Sequence, residues 1–563
     1  MLTYELDKRG QASRYEYLYR CIRDDIERGG IAACEKLPSK RALARHLGVS
    51  LATVESAYSQ LVAEGYVESF ERKGYFASDL GAPFAARGPH AVGQGSPGFP
   101  PRPAGDAPEG FSAAPPATAA PDVSAAPLDC ADADVSRETS ASFPMPDGCA
   151  AGEGVVARSF APSPSPGSCA HPERSAQAEA SVEEAPLIAD FTGGAGPPGA
   201  FPYRMWARTV RTVLAEESER SLAAAAADAA GSRRLREAIA SYLLGFRGMR
   251  VSPDQIVIGA GAQTLYHTIV QLVGRSRRLA LEDPGYPRLT GVYRANDVDV
   301  AHVPLDERGV SVEALRASGA DVLHCMPSHQ FPTGLVTPVS RRYELLGWAS
   351  ERAGRYLVED DYDCEFRLAG RPIPTLQSID AAERVIYVNT FTKSLGAAFR
   401  IGYLVLPPHL AEAFRSRLGF YAGTVGAIDQ LALARFIEQG GYERHVNRSR
   451  SRCRAVRASL VASLRRSPIA DRLIVEEADA GLHFVLGIGT DAHDADLVSA
   501  ARAEGLALSP LATYCVTAPA VEACRHRFVM SDASLDPADV DRATAALVRA
   551  VEAAEFSASS AAR

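Results

Sequence analysis

Residues 81–185 forbid a single folded body. The stretch is dense in Ala, Pro, Gly and Ser, with few large apolar side chains and no sustained periodicity. Such a segment cannot bury enough surface to offset the entropy of ordering it. It reads as a flexible linker, with Cys130, Cys149 and Cys169 as bystanders. That leaves a short unit at 1–80, a long one at 186–555 and a tail at 556–563. The chain as a whole is 46% apolar and 23% charged, the proportions of ordinary globular material. A net charge of −8 excludes a polycation, so any nucleic-acid contact must come from a local patch. The ten cysteines include no Cys-x-x-Cys pair, the chain opens without an apolar leader, and no run of 18 apolar residues occurs. Together these predict a cytoplasmic protein without a disulfide framework, a zinc site or a membrane span.

The short unit carries helix signals. Tyr15, Leu18, Tyr19, Ile22 and Ile26 have helical spacing, and Gly29-Gly30 ends the run. Ser39 after Pro38 is a natural N-cap, Leu43 and Leu47 form the apolar face of a short helix, and Gly48 supplies a tight turn. Ser50 caps the next helix, whose inner face is Val54, Ala57, Tyr58 and Leu61. This is helix-turn-helix spacing. Residues Tyr66 to Phe76 then read as a two-stranded wing turning near Arg72-Lys73-Gly74. A small helical bundle with no DNA role would show the same helices. Charge placement argues against it, because Lys36 to Arg45 holds four basic residues and no acidic one, and the wing tip adds Arg72 and Lys73.

On these residues the head resembles the winged helix-turn-helix of the GntR superfamily. The shared elements are Leu37-Pro38-Ser39-x-Arg41, Leu43-Ala44-x-x-Leu47-Gly48-Val49-Ser50, Thr53-Val54 and Ala57-Tyr58-x-x-Leu61. The resemblance implies DNA contacts at Ser39, Lys40, Arg41, Ser50, Thr53, Lys73 and Gly74, with Arg41 as the fork for a base or phosphate. Leu51 and Glu55 stand where relatives place basic residues, so the operator sequence is not legible.

The long unit alternates strand and helix signals, which predicts an α/β fold with a largely parallel sheet and a smaller α+β subdomain from about Pro408. Strands are expected at 256–258, 278–281, 299–303, 322–325, 356–358, 385–389 and 401–406, and a helix at 343–353. In such sheets ligands sit beyond the carboxyl ends of strands. Small residues, Gly259-Ala260-Gly261-Ala262-Gln263, open a helix there and could let backbone N–H groups approach a phosphate. Tyr286, in Glu282-Asp283-Pro284-Gly285-Tyr286, could stack on a planar ring. Glu359-Asp360-Asp361-Tyr362-Asp363 ends a buried apolar strand, a costly place for carboxylates without a cationic partner. A pyridinium nitrogen is such a partner. Another strand runs into Thr390-Phe391-Thr392-Lys393-Ser394, where an amine could form a Schiff base with an aldehyde while hydroxyls and Arg400 hold its phosphate. Together these features describe pyridoxal 5′-phosphate.

Residues 186–555 resemble a fold-type-I aminotransferase domain. The motifs are Ser328-His329-Gln330-Phe331-Pro332-Thr333-Gly334, Glu359-Asp360-Asp361-Tyr362-Asp363-x-Glu365-Phe366, and Thr390-x-Thr392-Lys393-Ser394-Leu395 with Arg400-x-Gly402-Tyr403. Joined to the head, the chain resembles a MocR-type transcriptional regulator. The resemblance implies a Schiff base at Lys393, a pyridine-nitrogen partner in Asp360, a phenolic-oxygen partner in Tyr362 and stacking by Tyr286. It implies phosphate contacts at Ala262, Gln263, Thr390, Thr392 and Arg400, and His329 or Gln330 near the ring oxygen. It also implies a homodimer on paired half-sites and a small-molecule effector. Met1-Leu2-Thr3-Tyr4 and Tyr15-Glu16-Tyr17-Leu18-Tyr19 resemble the subset that controls vitamin B6 synthesis.

Two departures matter. Aminotransferases hold the substrate carboxylate with an arginine in a late strand. Here Val529 occupies that place, and Arg527 lies two positions earlier. The usual glycine-rich approach is altered to Ala226-Ala227-Asp228-Ala229-Ala230-Gly231. The expectation is a regulator with at most residual transaminase activity. The alternative is a working aminotransferase with a vestigial head.

Overall fold

The structure, a computed structural model, describes residues 2–4, 13–70, 73–78, 187–193, 201–368, 373–477, 479 and 481–561. The expected linker and Arg72 of the wing tip lie outside the described residues.

The head forms because its caps and apolar spacings agree. Helix α1 (Arg14–Glu27) starts at Ser13, whose hydroxyl accepts from Glu16 N–H, and buries Leu18, Tyr19, Ile22 and Ile26. Helix α2 (Lys40–Leu47) starts at Ser39 and ends at Gly48 in the left-handed region, φ 64°. Only a residue without a Cβ adopts that turn at no cost. Ser50 caps α3 (Leu51–Ala63), whose inner residues Val54, Ala57, Tyr58 and Leu61 are fully buried. Strands β1 (Val67–Phe70) and β2 (Gly74–Ala77) pair antiparallel as the wing.

The large domain is built on an eight-stranded sheet. Its strands are β3 (Ile256–Gly259), β4 (Leu279–Asp283), β5 (Val300–Asp306), β6 (Gly309–Val310), β7 (Val322–Cys325), β8 (Tyr356–Asp360), β9 (Val385–Thr390) and β10 (Gly402–Val405). Their spatial order is β3-β10-β9-β8-β7-β4-β5-β6. The centre is parallel and buried on both faces, which is why β9 reads as a continuous apolar run. Strand β10 runs antiparallel to both neighbours. The connection from β9, residues 391–401, is shorter than the dozen or so residues a parallel crossover needs.

Helix α4 (Ala262–Val273) follows β3, helix α5 (Val339–Ser350) precedes β8, and the short helix α6 (Thr392–Leu395) follows β9. The helix expected at 343–353 is corrected to Val339–Ser350, with Pro338 at the N-cap position, where its ring keeps the helical ladder from reaching further back. The smaller subdomain carries an antiparallel sheet of β11 (Leu473–Glu476), β12 (His483–Ile488), β13 (Ser509–Pro510) and β14 (Arg527–Ser531), in the order β11-β12-β14-β13. Its last helix runs from Val540 to Ala561, past the domain end expected at 555. The head shares an apolar cluster with the large domain, where Val339 and Tyr343 of α5 join Leu18, Tyr58 and Tyr66. No helix among the described residues is long and apolar enough to cross a membrane.

Candidate functional site

Candidate residues stand at the ends of β8 and β9 and at the starts of α4 and α6. Lys393 lies exposed on α6, directly beyond β9. The turn is pinned from the long helix Gly441–Arg466: Ser394 Oγ lies 2.9 Å from Tyr442 Oη, and His445 Nε2 lies 2.6 Å from the Ser394 carbonyl. Thr390 is buried opposite Gly402, and Thr392 Oγ1 donates to the Phe399 carbonyl at 3.5 Å.

The start of α4 forms a cradle that could hold an anion. Its N-cap is Gly261, φ 85°, with no side-chain cap, so the first-turn N–H groups of Ala262 and Gln263 have no helical acceptor. Arg400 lies across this turn, since a Cβ on Gly261 would stand 2.5 Å from its guanidinium. Ala262, Gln263 and Arg400 are thus brought together. Thr424, which donates no recognisable sequence signal, accepts from Ala260 N–H at 3.1 Å.

The acidic run at the end of β8 divides by strand alternation. Glu359 accepts from the N–H groups of Leu376 and Gln377 at 2.8 and 3.0 Å. Asp361 pairs with Arg247 at 2.6 Å and accepts from Tyr387 at 2.8 Å. Asp360 points the other way. Its Oδ2 accepts from the Tyr266 hydroxyl and lies 3.3 Å from His324 Nε2. Among the described residues no lysine or arginine pairs with it. A buried carboxylate of this kind fits a protonated ring nitrogen, and the cradle fits a phosphate. Sequence reading missed Tyr266 and His324. The available signals were a tyrosine on the inner face of α4 and a histidine inside the apolar strand β7.

Tyr362 and His329 meet on the far side, with Tyr362 Oη 3.1 Å from His329 Nδ1. The same nitrogen lies 2.9 Å from Asp363 Oδ2. Gln330 faces elsewhere: its amide donates to the Pro284 carbonyl at 2.9 Å and to Glu282 at 3.2 Å, fastening the loop. Of the two candidates, His329 is the one beside Tyr362. Tyr286 packs edge-on to Phe331, ring centroids 5.7 Å apart, and lines one recess with Glu282 and His324. Burial pushes the Glu282 carboxyl up to about 8. Burial also pushes His483 well below the usual imidazole range, and the charges of His329, Arg457 and Lys393 add to the fall. Arg527 is paired with Glu476, and Val529 is buried against Val485, Leu511 and Cys524.

On the head, Ser39 and Ser50 spend their hydroxyls on capping. Thr53 Oγ1 lies 2.8 Å from Ser50 Oγ. Lys40 sits over the Tyr75 ring and Lys36 over the Phe76 ring, 5.3 and 5.7 Å to the centroids, which sets the start of α2 beside the wing. Arg41 and Lys73 are exposed, and Lys73 adjoins Gly74 at φ 105°.

Residues 14–76 match the family of bacterial regulatory proteins, gntR family, and residues 203–547 match aminotransferase class I and II. An uncharacterized HTH-type transcriptional regulator, YhdI of Bacillus subtilis, is 32% identical over 510 residues, covering 91% of this chain and 90% of that one. The chain belongs to the MocR-type transcriptional regulators of the GntR family. Heads of this family bind DNA. This MocR-type chain is also 34% identical to the HTH-type pyridoxine biosynthesis transcriptional regulator PdxR of Corynebacterium glutamicum, over 46% of its own length and 55% of the relative's. The crystal structure of the multiple substrate aminotransferase from Thermococcus profundus shares the fold, with a TM-score of 0.57 at 22% identity, covering 66% of this chain and 92% of that one.

Proposed function

We propose that this MocR-type regulator senses pyridoxal 5′-phosphate, alone or with an amine ligand, and that the capture changes operator binding. The carrying observation is Asp360, a buried strand-end carboxylate that no lysine or arginine among the described residues pairs with, on the strand beside the one that leads to Lys393. When bound, the cofactor supplies an aldehyde carbon to the lysine amine and a ring that stores negative charge. The chain does the rest. Ala262, Gln263, Thr390, Thr392 and Arg400 hold the phosphate, Asp360 keeps the ring nitrogen protonated, Tyr362 with His329 behind it meets the phenolic oxygen, and Tyr286 covers the ring. Ser39, Lys40, Arg41, Ser50, Thr53, Lys73 and Gly74 contact the operator in the cytoplasm. A homodimer presents two heads to paired half-sites.

Resemblance to PdxR supports vitamin B6 synthesis genes as targets. Val529 in the carboxylate-binding place, and Arg527 engaged by Glu476, support at most residual transaminase turnover. The test is spectroscopic and genetic. Purified protein with pyridoxal phosphate should gain an absorption band near the visible edge that Lys393→Ala abolishes. Arg41→Ala should lose operator binding and keep the band. Sustained turnover with common amino donors would favour the enzyme reading instead.

A further inference from the structure

The head rests on the first turn of α5. Contact there is close: a Cβ on Gly65 would stand 2.8 Å from Pro338 Cβ. Val339 N–H donates to the Glu64 carbonyl at 3.1 Å. Val339 is the first residue of α5, and a first-turn N–H has no acceptor within its own helix. The head supplies the missing acceptor. Tyr343, one turn on and 7% exposed, packs in the same cluster.

Behind this seat stands Arg342, fully buried. Its Nε donates to the Thr337 carbonyl at 2.9 Å, and its two Nη atoms donate to the carbonyls of Pro374 and Pro327, each at 2.7 Å. Pro327 and Thr337 close the two ends of the loop that carries His329 and Gln330, joined to each other by a 2.9 Å backbone bond. Arg342 Nη1 also lies 3.8 Å from the Glu359 carboxylate, one residue before Asp360 on β8. A guanidinium is a rigid planar fork, so these acceptors cannot shift independently of it. A buried cation of this kind is weak evidence of a stabilising role. What its geometry provides is a mechanical link. One side chain ties the strand end at Asp360 and the loop of His329 to the turn that seats the head.

We propose that Arg342 is a positioning residue that couples the cofactor pocket to the seat of the DNA-binding head, so that cofactor capture changes how firmly the head is held. The proposal rests on the pyridoxal phosphate reading above. Linkage requires the converse as well: a head that is held or released alters cofactor affinity by the same factor.

Amide exchange at Val339 in the full chain tests it. Without cofactor, the wild type protects this amide. Tyr343→Ala, which cuts a contact on the large-domain side and changes no residue of the head or the cofactor site, speeds its exchange about tenfold or more. Equal rates in the two would overturn the seat, whatever the cofactor does. With pyridoxal phosphate added until its absorption band saturates, the wild-type rate shifts about tenfold, within the 5–150-fold range usual for allosteric coupling. In Arg342→Lys, which keeps the charge and loses the fork, the band persists and the shift vanishes. An unmoved wild-type rate with the band present, or an undiminished shift in Arg342→Lys, would overturn the coupling. Should Arg342→Lys not fold, Glu359→Gln is read the same way. Absence of any band in the wild type would sink the cofactor reading and the coupling with it, while the seat is still decided by Tyr343→Ala.

Discussion

Asp360 owes its place to one residue of register. Its neighbours Glu359 and Asp361 leave the opposite face of β8 and are engaged there by backbone N–H groups, Arg342 and Arg247. Only the middle carboxylate faces Tyr266 and His324, which hold it. A charge-assisted hydrogen bond contributes about 1.5–3 kcal/mol, so Asp360→Asn is expected to weaken pyridoxal phosphate binding roughly 10–100-fold. An absorbance titration reads this directly, and an unchanged midpoint would remove Asp360 from the ring nitrogen. Loss of the Tyr266 hydroxyl in Tyr266→Phe removes one donor and leaves the carboxylate charged, so the same titration should move less.

Among the elements, α2 and α3 are legible because their ends are chemically marked. Ser39, Gly48 and Ser50 each perform the capping or turning that their residue types predict. Ser50→Ala takes the hydroxyl acceptor from Thr53 N–H, leaving it the Ser50 carbonyl at 3.1 Å, and should cost the head about 1 kcal/mol. Chemical denaturation followed through the head's tyrosines measures that loss. Strand β10 shows the opposite case. Its apolar run announced a strand, yet its direction followed from the length of the connection and not from its residues. Helix α5 began a turn earlier than its apolar spacing suggested, since Pro338 set its start. Loops that carry function were the least legible. Gln330 turned out to fasten its own loop, and His329 faces Tyr362.

Across the whole molecule, burial raises several carboxyls together. Glu64 is pushed up to about 7, Glu282 to about 8 and Glu365 to about 7. From the ordinary value of 4.5 up to these values, the folded chain keeps protons that the unfolded chain has released. Stability is therefore fully present below about pH 4.5 as far as these groups go, and falls as pH rises through 7 to 8. The melting temperature should be lower at about pH 8.5 than at about pH 5.5, and Glu282→Gln should flatten the slope. A melting temperature that rises over this interval would contradict the assignment of these groups as protonated in the fold.

Local chemistry in the sequence determined the head, the strand before Lys393, the acidic end of β8 and the small-residue start of α4. Each depends on neighbours a few residues apart, through capping, alternation or backbone freedom. Tertiary structure alone decided what those groups face. Asp360 meets Tyr266 and His324, Arg400 crosses Gly261, and Val339 finds its acceptor on Glu64, because such pairings join residues far apart in the chain. Periodicity tells which face a side chain leaves from, and only packing tells what stands opposite.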